Sequence, residues 1–317
     1  MISRRQLRIK ALQSLYAYYK TGREDMGRSE KELHFNIEKA FELYHYLLLL
    51  ILDVSLYAES RIELALNKRM PTQEDLNPNM RFTKNKLIEQ LRNNESLLRY
   101  VDQHKLNWSN YPELIKEIYT RIVGSEEYAA YMSSESSGYG EDKKLVTFAF
   151  THIVFTSEML DSIMEEQSIY WNDDLEFITS MIVKTFKKFK EEDGPDKKLM
   201  ELYKNMEDRD YVVRLYRQTI IHRDEYVEYI KENTRNWDLE RIAFMDILIM
   251  QMAIAELIGF PSIPTKVTLN EYLEISKFYS TSKSNVFING VLDKVVSQLK
   301  EEKKILKSGR GLIGENE

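Results

Sequence analysis

Cysteine is absent from the 317 residues, so no disulfide framework, thiolate metal site or thiol nucleophile can be built. Glycine and proline are scarce, at 11 and 6 copies, and these are the residues that helix interiors exclude. Strands have no support either, because apolar residues recur at helical spacing and no convincing period-2 alternation occurs. The expected fold class is therefore all-α. Catalytic constellations are also missing. There is no G-x-S-x-G elbow and no phosphate loop, and His34, His45, His104, His152 and His222 are scattered without metal-ligand spacing. GRGLIG (309–314) formally fits a dinucleotide fingerprint, but it follows a Lys-rich helix instead of a strand and no helix opens after it. The longest aliphatic run, Leu47 to Leu52, stops at Asp53, far short of the ~20 residues that a membrane span needs. MISRRQLRIK has no apolar core of a signal peptide behind its charges. The expectation is a cytoplasmic, non-enzymatic chain with no membrane segment, metal or cofactor.

What is present is charge of both signs, 30% of residues, around a 43% apolar content sufficient for a sizeable core. The net charge of −6 argues against a nucleic-acid partner until its distribution is read. Five of the 45 Lys and Arg residues (Arg4, Arg5, Arg8, Lys10, Lys20) lie in the first 20 positions, where no acid occurs; 40 bases are left against all 51 acids. At ~100° per residue Arg4 and Arg8 share the arc of Ala11 and Leu15. An unpaired guanidinium does not belong in a dry core. The first two turns are thus expected to project past the core, or Arg8 to snorkel along its edge. Four bases on a projecting helix start make a phosphate grip, with Gln6 and Gln13 placed to read base edges. Basic residues there oppose the helix macrodipole, which favours a charged partner over an ordinary solvated start. If all four bases neutralise phosphates of single-stranded RNA, the log–log salt slope is about −3, or ~50-fold weaker binding from 50 to 200 mM.

Further helices are read at about 30–66, 85–103, 112–132, 143–167, 175–191, 198–205, 209–233, 239–258, 269–279 and 285–306. SSESSGYGED (133–142) is the clearest flexible segment, and Gly309 onward reads as a frayed tail. Residues 157–178 echo 223–242. In each an acidic amphipathic helix precedes a Trp (Trp171, Trp237) and an L-E-x-I helix start (Leu175, Leu239), as in a partial duplication. Gly290 stands inside a predicted helix, where it costs ~1 kcal/mol relative to Ala, so a close backbone approach is expected, most simply by another helix. Phe287, in the first turn of that helix, is either core or a stacking platform for a base.

Several of these segments together resemble the NusB family of bacterial antitermination factors. RRQLRIKALQSLY (4–16) is similar to its Arg-rich start and A-x-Q-x-L-Y helix, and NWDLERIAFMDILIMQMAIAEL (236–257) to its W-x-L-E-R and A-x-x-E-L helices. IPTKVTLNEYLEISKFYS (263–280) is similar to V-P-x-K-V-x-I-N-E-x-x-E-x-A-K, and FINGVLDK (287–294) departs from F-V-N-G-V-L-D-K by one Val-to-Ile difference. The resemblance implies a NusB-like two-subdomain helical bundle without catalysis. It also implies a partner, the ribosomal protein NusE, with which the family binds boxA RNA of nascent ribosomal transcripts in the transcription elongation complex. By position Arg4, Arg5 and Arg8 match the start that touches RNA, and Phe287 the signature phenylalanine beside RNA and NusE. With Lys10 and Gln13 from the first helix and Lys283 from the loop before the signature, these form the expected RNA-binding set. The chain departs from the family at Lys283, where an acid is frequent, and at Val286, where Lys is common. Ordinary members are less than half as long. The expected division is 1–21 with 206–306 as the NusB-like domain, 22–205 as an inserted helical module and 307–317 as a flexible tail. A helical protein–protein adaptor that has lost RNA binding is the second reading. An rRNA cytosine methyltransferase, which also carries a NusB-like domain, is excluded by the missing cysteine and α/β cofactor domain.

Overall fold

A computed structural model describes residues 1–22, 25–136, 138–234 and 242–314. Among these residues there is no strand. The helices in chain order are α1 (Arg4–Lys20), α2 (Met26–Leu66), α3 (Gln73–Leu76), α4 (Lys86–Arg92), α5 (Glu95–His104), α6 (Pro112–Val123), α7 (Glu126–Ser133) and α8 (Tyr139–Phe148). A π-helical turn (Ala149–Val154) leads to α9 (Glu158–Gln167) and α10 (Leu175–Lys188). Then come α11 (Met206–Ile221), α12 (Arg223–Asn233), α13 (Phe244–Gly259), α14 (Thr265–Tyr279) and α15 (Ser282–Glu301). Side-chain caps set many of the starts. Ser3, Asn85, Asn94, Ser125, Ser157, Asn205 and Thr281 each accept from a backbone N–H of the first turn, and Thr72 with Asp75 forms a reciprocal capping box.

The chain divides into two compact units, Met1–Ile37 with Leu202–Glu317, and Glu38–Glu201. The first boundary between these two units falls inside α2. Early α2 belongs with α1 and α11 because Ser29 hydrogen-bonds Tyr216 and Glu30 pairs with Arg217. In this first unit α13 is the core helix. It is buried on nearly every side, and α1, α11, α12, α14 and α15 pack around it. In the second unit the later part of α2 supplies Tyr44, Leu47, Leu48, Leu50 and Ile51 to the core, together with Trp108, Phe150, Ile182 and Phe186. Trp108 stacks on Tyr46 with centroids 3.8 Å apart and donates Nε1–H to the Tyr46 carbonyl at 2.9 Å. A window of α2 with mean hydropathy 1.4 is long and apolar enough to cross a membrane, yet 67% of it is buried inside the structure, as in a core helix.

Several expected elements differ. Residues 198–205 are not helical, because the Leu202 carbonyl accepts from the Ile2 N–H at 2.9 Å and Asn205 caps the next helix. The 209–233 helix breaks at His222, which ends α11, and Asp224 and Glu225 then occupy the favoured first turn of α12. The 143–167 helix is interrupted by the π-turn and the Ser157 cap. Arg81 pins the segment read as flexible by donating to the Ser134 and Ser136 carbonyls, and α8 opens at Tyr139. Gly290 has nothing within 4 Å of where a Cβ would stand, so among the described residues no helix makes the expected close approach. Nor does the chain fray at Gly309, since a 3-10 turn (Gly309–Leu312) follows and Gly311 is buried. Of the internal echo, α9, buried Trp171 and α10 are in place, while Trp237 and Leu239 lie outside the described residues.

Candidate nucleic-acid interface

Helix α1 buries a broad face that includes Leu7, Arg8, Lys10, Ala11, Leu12, Ser14 and Leu15. Its first turns therefore do not project, and the expectation that Arg8 lies at or beyond the core edge is corrected. Arg8 is 2% exposed because Glu256 of α13 waits for it inside. Nε and Nη2 of Arg8 donate to the two carboxylate oxygens of Glu256 at 2.8 and 2.7 Å. Glu256 also accepts from the hydroxyls of Tyr211, Thr268 (2.9 Å) and Tyr272 (3.3 Å), so one carboxylate ties α1, α11, α13 and α14 together. Burial pushes Glu256 up, but the Arg8 charge and the hydrogen bonds from Arg8, Tyr211 and Thr268 outweigh it and hold the carboxyl below the ordinary glutamate range. Both tyrosines are driven well above the usual phenol range, first by burial and then by the Glu256 charge.

The other α1 cations are partly satisfied from within. Arg4 pairs with Glu207 (2.8 Å) and Asp208 (2.9 Å), and Arg5 forks onto Glu271 at 2.9 Å for each oxygen. The adverse macrodipole contact at the α1 start is thus offset by acids of this chain, not by an outside partner. Arg4 and Arg5 still keep 31% and 47% of their side-chain surface exposed, whereas Lys10 is only 1% exposed.

Gln13 donates to the Tyr279 hydroxyl at 3.2 Å. The Arg5–Glu271 and Gln13–Tyr279 contacts share a sequence offset of 266, so α1 and α14 run side by side in the same direction. Along that seam Arg5 and Gln13 are about 12 Å apart by helical rise. Its far end leads through Ser280 and Thr281 into α15, so Lys283, expected in a loop, lies exposed in the first turn of that helix. Phe287, one turn into α15, is half-buried, and Val286 beside it is 74% exposed. The structure therefore brings Arg5 and Gln13 to one α1/α14 seam, leaves Lys283 in the first turn of the following helix, and assigns Arg8 and Lys10 to the interior.

At the head of α1 a cleft of about 890 Å³ is lined by Arg4, Arg5, Glu207, Asp208, Val267 and Glu271 among others. Lys204 and Arg310 also line it, and sequence reading missed both. Glu256 was missed too, although an acid in the otherwise apolar MAIAELIGF run signals a buried base opposite it.

These features define an all-helical domain whose arginine-rich first helix is bolted to an acidic position in the core helix. Residues 176–297 match the NusB family. The match begins at the start of α10, inside the segment expected to be inserted, and leaves α1 outside it. A protein of Salinibacter ruber called transcription antitermination protein NusB is 41% identical over 106 residues, 33% of this chain and 66% of the relative. Proteins of the same name from Chloroherpeton thalassium and Natranaerobius thermophilus are 37% and 39% identical, over 33% and 26% of this chain and 50% and 64% of their own lengths. The chain thus spans between half and about two thirds of these curated relatives. No solved structure matches. Residues 176–297 are thus similar to the NusB family, a family of transcription antitermination factors and not of enzymes, within a longer chain whose described residues form helices and no strand.

Proposed function

We propose that the chain is a cytoplasmic antitermination factor that binds boxA-type RNA of nascent rRNA transcripts together with NusE, within the transcription elongation complex. The observation that carries this reading is the NusB match over residues 176–297, which includes FINGVLDK. Arg4, Arg5, Gln13, Lys283 and Phe287 are the proposed RNA-facing residues. Arg8 and Lys10 act through the packing of α1. Arg4 can engage phosphate by giving up its exposed partner Glu207, a surface pair worth ~0–1 kcal/mol, while it keeps the buried Asp208 paired; Arg5 has only the partly covered Glu271 to exchange. Residues 1–21 with 206–306 form the proposed RNA-binding part, 22–205 an added helical module and 307–317 a tail.

The internal pairing of Arg4 and Arg5 favours one competing reading, the adaptor without RNA. Titration of labelled boxA-type RNA from 50 to 200 mM salt, with and without NusE, separates the two. Tighter binding with NusE and weaker binding by Arg4→Ala/Arg5→Ala are expected. No gain from NusE and no loss in the variant would sink the RNA reading, and salt-independent RNA affinity would favour the adaptor.

A further inference from the structure

The cleft at the head of α1 carries five bases (Arg4, Arg5, Arg8, Lys204, Arg310) against three acids (Glu207, Asp208, Glu271). The acids are taken up by the three α1 arginines, and Arg8 is further held by Glu256. The surplus positive charge therefore does not come from the arginine-rich helix. It comes from Lys204 and Arg310, which are exposed and make no side-chain ion pair or hydrogen bond among the described residues.

Arg310 is held at the rim by a docked segment. Lys307 donates to the last carbonyls of α13, Leu257 at 3.1 Å and Phe260 at 3.3 Å, and the Ser308 N–H donates to the Pro261 carbonyl at 3.0 Å. Gly311 then passes so close that a Cβ there would stand 1.9 Å from the Pro261 carbonyl oxygen. Only glycine permits that approach. The GRGLIG segment thus acts as a strap that delivers a cation to the mouth of the cleft. A volume of about 890 Å³ lies within the ~300–1,000 Å³ of ordinary ligand sites, which suits a nucleotide of a longer strand better than a lone phosphate ion.

We infer that Lys204 and Arg310 bind consecutive phosphates of the RNA backbone in this cleft, so that segments flanking the arginine-rich helix supply its strongest phosphate contacts. This rests on the RNA reading above. The test is binding of labelled single-stranded boxA-type RNA by the full chain from 50 to 200 mM salt. For Lys204→Ala/Arg310→Ala the log–log slope should be shallower by about 1.4, so that the weakening over this range is about sevenfold smaller. Gly311→Ala, which undocks the strap, should reproduce about half of that change with both cations still present. Both exposed sites tolerate alanine, and retained helicity by circular dichroism confirms folding. An unchanged slope in the double variant overturns the inference while the RNA reading stands. No RNA binding by the unaltered chain overturns both.

Discussion

Arg8 of α1 and Glu256 of α13 form a two-pronged ion pair, 248 residues apart in sequence, whose side chains are 3% and 0% exposed. Both side chains are buried, so the pair depends on its hydrogen-bonding complement from Tyr211, Thr268 and Tyr272. Removing one member leaves a buried charge without its counterion. Arg8→Met should lower stability by ~3–5 kcal/mol, and Arg8→Met/Glu256→Gln should recover part of that loss, because the neutral amide oxygen still accepts from the hydroxyls. The measurement is amide hydrogen exchange across α1 and α13. A single variant as protected as the unaltered chain would refute the account.

The helical fold was legible because every long element obeys the 3.6-residue period and many starts carry Ser, Thr or Asn caps. The interior of the site was not. Arg8 shares its arc with Ala11, and local phase cannot show whether a distant carboxylate meets it. The cue lay in Glu256, alone among apolar neighbours, and recognising it requires pairing two helices far apart in sequence. Residues 198–205 carry helix formers, yet the Leu202 carbonyl is claimed by Ile2, a tertiary bond that propensity does not record. Glycines were the least legible. Gly290, in a helix interior, faces open space, whereas Gly311, in a stretch read as tail, is pressed on Pro261.

Gly259 and Gly311 give a paired prediction. A Cβ at either would come within 1.9 Å of an oxygen, but at Gly259 that oxygen is the movable Oε1 of Gln218, and at Gly311 it is a backbone carbonyl. Gln218 Oε1 has no hydrogen-bond partner to lose. Gly259→Ala should therefore change stability by less than ~1 kcal/mol, the helix propensity of Ala helping to offset the rearrangement. Gly311→Ala should free the strap and accelerate tryptic cleavage at Lys307 and Arg310. Equal cleavage rates in the two variants would contradict this.

His45 gives the second unit a pH dependence. It is buried, stacks on Tyr100 with centroids 3.8 Å apart, and donates Nδ1–H to the Phe41 carbonyl at 2.8 Å. Burial lowers its pKa from 6.5 to about 4. The folded value is depressed, so its contribution is complete above pH 6.5 and is lost as pH falls toward 4, by about 3 kcal/mol in all. Asp53 on the same helix works in the opposite sense. Burial raises it to about 6, so acidification relieves a penalty there. Comparison with His45→Gln isolates the first effect. Thermal unfolding between pH 6.5 and 4 should destabilise the unaltered chain more steeply than the variant, and parallel curves would argue against a buried neutral histidine.

Gly290 is a helix-interior glycine with no packing reason among the described residues. It lies on the exposed side of α15, with Asn289, Asp293 and Lys294 also exposed, while Ile288, Val291, Leu292 and Val295 face the core. Its backbone φ is not in the left-handed region, so alanine fits without strain. Gly290→Ala should raise the stability of the free protein by ~1 kcal/mol through helix propensity and reduced freedom of the unfolded chain. Denaturant unfolding of the first unit, followed by hydrogen exchange in α15, checks that gain. The same variant should then be titrated with boxA-type RNA and with NusE. Unchanged binding to both would leave the glycine without a role in recognition. A stability gain combined with weaker binding to one of them would identify that partner as the group whose close approach excludes a Cβ.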